Sequence, residues 1–197
     1  MTRSAYHHGS LREALVASAQ ARIEKDGPDA LSMRDLAQSL GVSPAAPYRH
    51  FPDRKALLEE VASRGFADLD AAYRAARAGA NDPVAAMRGV ARAYLALAFG
   101  RPGLFQLMFG SDILGATGPP ALLEAAGQAW ESLFATVQAL EPGADIATAK
   151  RRAITGWSTL HGFIALVQGG RLKGFMTEPL TESDLLEAII DKTLRGD

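Results

Sequence analysis

Between Ser32 and Val61 the chain reads SMRDLAQSLGVSPAAPYRHFPDRKALLEEV, placing three helix starts and one tight turn in succession with almost no spacer. Ser32 and Asp35 form a capping box, and Met33, Leu36, Ala37 and Leu40 give the helix they open a buried stripe. Gly41 stops that helix, because glycine tolerates the positive φ of a sharp turn, and Val42 can plug the corner. Ser43 caps a third helix, with Pro44 at the first position, where its missing N–H costs nothing. Pro47 fits that helix poorly. It is the first residue whose N–H would bond back into the turn, so the helix starts loosely or one residue late. Pro52 then breaks the chain, and Asp53 caps a further helix from Arg54 to about Ala72. Two short helices around a glycine-containing turn make a helix-turn-helix.

Ahead of this stretch, Ser10 and Glu13 form a box of the same kind, and Leu11, Leu15, Ala19 and Ile23 recur at helical spacing up to the Gly27-Pro28 stop. Residues 1–9 read as an arm. The pair His7-His8 does not suggest a metal site, since adjacent side chains diverge and no third ligand is near. Behind it, AAYRAARAGAND (71–82) closes on Gly, Asn and Asp as a helix end. Helical patterns then cover Pro83–Phe99, Pro102–Phe109, Pro120–Leu140 and Asp145–Gln168, with a Gly/Pro loop at 110–119. Thr181 and Asp184 box the last helix, to Leu194. No strand pattern or repeat appears, so the expected class is all-α: a helix-turn-helix head over 1–64 and a helical ligand-binding and dimerisation body over 65–197.

Two body helices carry wide apolar faces. In Asp145–Gln168, Ile154, Trp157, His161 and Ile164 share one face while Ala153, Leu160, Phe163 and Val167 cover the next, which predicts burial on several sides. Gly156 and Gly162 would each cost about 1 kcal/mol in an ordinary helix, so close packing should offset them. The last helix presents Leu185, Leu186, Ile189, Ile190 and Leu194. Pairing both helices with their copies gives a two-fold dimer, with Leu160, Phe163, Val167, Leu186, Ile189 and Ile190 at the interface. Phe105, Met108, Phe109, Trp130 and Phe134 could wall an apolar ligand pocket, joined by Trp157 and His161, although packing in the core is the default for such stripes.

The net charge of -1 argues against coating nucleic acid by bulk charge, so any DNA contact needs a local cation cluster. Residues 1–55 supply one, with eight Lys and Arg against six Asp and Glu. The absence of cysteine removes disulfides and thiolate metal sites. MTRSAYHHGSLREAL has no apolar signal core, and no segment is long and apolar enough to span a bilayer. Together these predict a soluble cytoplasmic protein without metal, cofactor or membrane partner.

Leu31-Ser-Met-Arg-Asp-Leu-Ala37, Leu40-Gly-Val-Ser43, Tyr48-Arg-His-Phe51 and Asp53-Arg-Lys-Ala-Leu-Leu58 together resemble the tetracycline-repressor-like (TetR) family of transcriptional regulators. Gly156-Trp157 and His161-Gly162 resemble the WHG-type C-terminal domain of one branch of it. The resemblance implies a homodimeric repressor that sets its third helix in the major groove of a double-stranded operator and leaves when a small apolar ligand binds the body. It further implies Ser32 or Arg34 at the phosphates, and Ser43, Pro44, Ala45 and Ala46 against the bases. Those short side chains offer methyl contact to thymine, leaving Arg49 as the residue able to make a bidentate base contact. Tyr48 and His50 suit phosphate or base edges, with Tyr48 reading equally as core, and Phe51 reads as core. Lys55 opposes the dipole of the helix it starts, a placement a bound phosphate would explain, while Arg54 reads as solvated.

Two other functions compete. Ser158 and His161 share a helix face and could be imagined as nucleophile and base of a hydrolase, but no oxyanion device, nucleophile elbow or orienting acid accompanies them, so no catalytic residue is assigned. A helical protein-interaction module without DNA binding is the other, and the basic cluster with Lys55 argues against it.

Overall fold

A computed structural model describes residues 8–110 and 118–195; the arm at 1–7, His7 included, and most of the loop at 110–119 lie outside the described residues. The described elements are α1 (His8–Asp26), α2 (Met33–Ser39), α3 (Arg54–Ala78), α4 (Pro83–Gly100), α5 (Pro102–Phe105), α6 (Pro120–Leu140), α7 (Ile146–Gln168), α8 (Gly174–Thr177) and α9 (Glu182–Arg195). A 3-10 turn at Pro47–Arg49 and a π-helical turn at Gln106–Gly110 supplement them, and no strand occurs among the described residues. The all-α, helix-turn-helix reading holds. Among the described residues no helix is long and apolar enough to cross a membrane.

Local signals placed most helix ends. Ser32 Oγ accepts from Asp35 N–H at 3.3 Å, Asp53 Oδ1 from Ala56 N–H at 2.8 Å, and Asp145 Oδ1 from Thr148 N–H at 2.9 Å. At α9 the box closes both ways, Thr181 N–H donating to Asp184 Oδ2 at 2.8 Å and Asp184 N–H to Thr181 Oγ1 at 3.2 Å. Ser10 is the exception. α1 starts at His8, so Ser10 lies inside its first turn, and Glu13 accepts from Arg64 at 2.8 Å.

The expected third helix is a succession of tight turns. Pro47 has no N–H for the Ser43 carbonyl, which accepts instead from Ala46 N–H at 2.9 Å. Arg49 N–H then reaches Ala46 O and His50 N–H reaches Pro47 O, both three residues back. The helix after Asp53 also differs from expectation: it runs past Ala72 to Ala78 without a break.

The described chain forms two compact units, neither a continuous piece: Met1–Ala67 with Arg101–Ala126, and Asp68–Gly100 with Gly127–Asp197. In the first, Leu15, Val16 and Ile23 of α1 are buried, as are Leu36 of α2, Leu57, Leu58 and Val61 of α3, and Leu104 and Leu107 of the returning segment. Two glycines let that segment in. A Cβ on Gly103 would stand 2.2 Å from Ile23 O, and one on Gly65 2.6 Å from Met108 Sδ. Glu24 secures the contact, accepting from the N–H groups of Gly103 at 3.0 Å and Leu104 at 3.3 Å.

In the second unit α4, α6 and α7 supply most of the core, with Met87, Val90, Ala91, Tyr94 and Leu95 from α4, Leu133, Phe134 and Val137 from α6, and Ala149, Ala153, Leu160, Phe163 and Ile164 from α7. Ile190 of α9 is buried too, and Arg152 reaches the α9 carbonyl of Leu194 as well as Glu141. Gly156 does not show the close packing expected of it: the nearest atom to a notional Cβ is the Thr193 Cβ at 3.6 Å, an ordinary van der Waals distance. Gly162 has none within 4 Å. Nor is α7 buried on every side: Ile154 is 50% and Leu166 42% exposed. The short helix α8 has no counterpart in the helix pattern of the sequence.

Candidate nucleic-acid interface

Caps and prolines place the candidate reading residues on one succession of turns. Ser43, Pro44, Ala45 and Arg49 are exposed, Tyr48 is 52% exposed, and Ala46 and His50 are half-buried. Of its two readings, Tyr48 takes the exposed one. Pro47 and Phe51 point inward, Phe51 being 3% exposed beneath the Arg12 guanidinium, which lies 5.1 Å from its ring centroid. Ser32 is half-buried at the N-cap of α2, and Arg34 is exposed one turn along.

Much of the positive charge of this unit is paired with carboxylates. Arg12 donates two bonds to Glu60, at 3.0 and 2.7 Å, and Arg64 bonds Glu13 at 2.8 Å and Glu60 at 2.8 Å. These bonds hold both carboxyls below their usual range, the bond from Arg12 leading for Glu60 and that from Arg64 for Glu13, with burial opposing. Arg54 corrects the solvated reading: its Nε donates to Leu31 O at 2.9 Å and its Nη2 to Pro28 O at 2.5 Å, tying the start of α3 to the connection between α1 and α2. Lys55 lies 3.3 Å from Glu59 one turn on, a second reason for its position beside any phosphate. Among the described residues, Arg34 and Arg49 have no carboxylate partner.

In the second unit the sequence missed a polar hub at Tyr94. Trp157 Nε1 donates to Tyr94 Oη at 2.9 Å, and Tyr94 Oη lies 2.8 Å from His161 Nδ1. An indole N–H can only donate, so the tyrosine oxygen accepts from Trp157, while the direction of its bond with His161 Nδ1 follows the imidazole tautomer. Burial lowers the His161 pKa from its ordinary 6.5 and raises that of Tyr94, keeping both neutral. Because His161 takes up a proton less readily folded than unfolded, its contribution to stability is complete above about pH 6.5 and declines as pH falls below it. The unfolding midpoint of His161→Gln should therefore lose less on acidification from pH 7 than that of the parent chain; identical pH profiles would count against the assignment.

Residues 15–61 match the profile of the bacterial regulatory proteins, tetR family, and residues 87–193 that of the tetracyclin repressor-like C-terminal domain. The chain belongs to the TetR family. A protein of unknown function from Rhodococcus sp. RHA1 is similar over 98% of both chains, at 35% identity and a TM-score of 0.81. The TetR family transcriptional regulator PfmR from Thermus thermophilus shares the fold, with 24% identity, a TM-score of 0.66, and 92% of this chain and 97% of that one covered. So does a TetR transcriptional regulator from Legionella pneumophila, at 21% identity and a TM-score of 0.63 over 98% of each. No curated protein matches significantly in sequence. This TetR-family chain thus has the fold of DNA-binding transcriptional regulators, a family whose members dimerise.

The remaining candidates separate between the units. Phe105 and Met108 are buried in the first, where Phe109 meets Phe66 edge-on at 5.3 Å. Trp130 and Phe134, stacked at 6.0 Å, belong to the second with Trp157 and His161. Of the residues placed at a dimer face, Leu160, Phe163 and Ile190 are buried inside a single chain and serve its own core. Val167, Leu186 and Ile189 are half-buried. Burial within the chain had no separate signal, because a helix lying between its own core and a partner is apolar on both sides. Ser158 is exposed, and His161 Nδ1 is engaged by Tyr94.

Proposed function

We propose that this TetR-family chain is a homodimeric, sequence-specific DNA-binding repressor, released from its operator by a small apolar ligand held in the second unit. The observation that carries the reading is the Tyr48-Arg49-His50 turn, with Tyr48 and Arg49 exposed and His50 half-buried next to buried Phe51, in a head that also exposes Arg34 and Lys55. Ser43, Pro44, Ala45 and Ala46 offer small contacts to base edges, and Arg49 a bidentate one. Ser32, Arg34, Tyr48, His50 and Lys55 serve phosphates, which position the head without reading sequence. The dimer uses α7 and α9, with Val167, Leu186 and Ile189 at its margin. Trp130, Phe134, Trp157 and His161 are the side chains of the second unit suited to an apolar ligand. Selection of bound sequences from random duplexes, repeated with small-molecule extracts present, tests DNA binding and release together.

The roles within the head separate by substitution. Lys55→Ala should weaken all duplexes about equally and reduce the salt slope by about 0.9, the share of one phosphate contact. Arg49→Ala should cost about 1–3 kcal/mol on the preferred sequence and relax the preference at one position. Equal behaviour of the two variants in a salt series over several duplexes would refute this division.

A further inference from the structure

The connection between α7 and α9 carries an arm that sets three exposed apolar side chains, Phe175, Met176 and Leu180, among the charged Arg171, Lys173 and Glu178. Residues 169–173 lead into α8, and the turns that follow close on their own backbone: Met176 N–H donates to Lys173 O at 2.8 Å, Glu178 N–H to Gly174 O at 2.8 Å, and Leu180 N–H to Thr177 O at 2.7 Å. These formed turns hold Phe175, Met176 and Leu180 out to solvent, Phe175 at 86% exposure. Single exposed apolar residues are ordinary; three on one hydrogen-bonded segment mark a contact surface.

A second uncovered surface lies on α7. From Ala153 to Gly170 the sequence holds no Asp, Glu, Lys or Arg. Ile154, Ser158, Gly162 and Leu166 nevertheless face solvent, four residues apart on one stripe. A helix whose outer face meets water normally carries charge there. This one presents a shallow uncharged strip, with open space at Gly162 where a side chain would stand.

We propose that the arm of one copy docks on the uncharged α7 strip of a second copy, with the Phe175 ring seated over Gly162; this rests on the homodimer reading above. A second copy is the occupant because one chain supplies both halves of the contact. Each half is uncovered, and a single two-fold operation covers both arms and both strips at once. The arm also lies between the two helices assigned to the dimer, so the contact extends that face.

The chain has no cysteine, so one substitution creates a unique thiol. Leu180→Cys, which keeps the Phe175 ring, is to be labelled with a maleimide beside Ala75→Cys, an exposed position on α3. Sedimentation is measured on both and on Phe175→Ala. Labelling at Leu180→Cys is expected to be at least tenfold slower than at Ala75→Cys, and Phe175→Ala to weaken dimerisation at least tenfold. Equal labelling rates in a chain that sediments as a dimer, or an undiminished dimer with Phe175→Ala, overturn the docking arm and leave the dimer standing. A parent chain that sediments as a monomer at micromolar concentration overturns the dimer reading and the arm with it.

Discussion

Gly103→Ala is expected to lower the stability of the first unit by about 3 kcal/mol, the upper end of what overpacking normally costs. The added methyl would stand 2.2 Å from Ile23 O, 2.7 Å from Ile23 C and 2.8 Å from Glu24 Cα. All three are backbone atoms of a regular helix, so no side-chain rotamer can relieve the contact. The segment would have to withdraw from α1, loosening the bonds that the Gly103 and Leu104 N–H groups donate to Glu24 and the burial of Leu104 and Leu107. Gly127→Ala is the matched control. Gly127 lies within α6, with nothing inside 4 Å of its notional Cβ, so alanine there should stabilise by up to about 1 kcal/mol through helix propensity. One chemical change thus has opposite signs at two positions. Denaturant midpoints for the two variants check it, and a Gly103→Ala midpoint at or above the parent value would show that the segment does not grip α1 as described.

That contact also shows where sequence reading stops. Caps and turns were legible wherever the physics is local: Ser32 with Asp35, Asp53 with Ala56 and Thr181 with Asp184 are all three residues apart. Gly41 was legible for the same reason, and it takes φ of +65°. Ser10 with Glu13 carries an equally good local pattern, yet the helix begins at His8, and Glu13 is drawn to an arginine 51 residues away. The groups that hold the units are of this distant kind. Glu24 and Gly103 are 79 residues apart, Tyr94 and His161 67, and Arg54 and Leu31 23. Apolar periodicity identifies which helices have a face to bury, but not which of two apolar faces the chain covers itself. Leu160 and Phe163 therefore looked like interface, while Ile154 and Leu166 are the residues left uncovered.

Pro47→Ala is expected to reduce affinity for the preferred duplex at least tenfold and to change the bases selected, with stability altered by less than about 1 kcal/mol. Alanine restores an N–H opposite the Ser43 carbonyl, which Ala46 N–H now occupies at 2.9 Å. A bond four residues back becomes available, and the turn can relax toward an α-helix with a net gain of about 1 kcal/mol. Loss of the buried proline ring opposes that gain by a similar amount. Orientation is what changes most. A 3-10 turn advances about 120° per residue and an α-helix about 100°, so conversion over Pro47–Arg49 would redirect the Arg49 side chain by roughly 60°. A bidentate contact to a guanine edge depends on direction and does not survive such a rotation, whereas phosphate contacts through the longer Lys55 side chain can adjust. Phe51, pinned between the core and Arg12, keeps the far end of the segment in place, so the change should stay within the reading turn. Duplex selection on the variant, with unfolding measured in parallel, provides the check. An unchanged selected sequence at unchanged affinity would mean that the proline does not set the direction in which this head reads DNA.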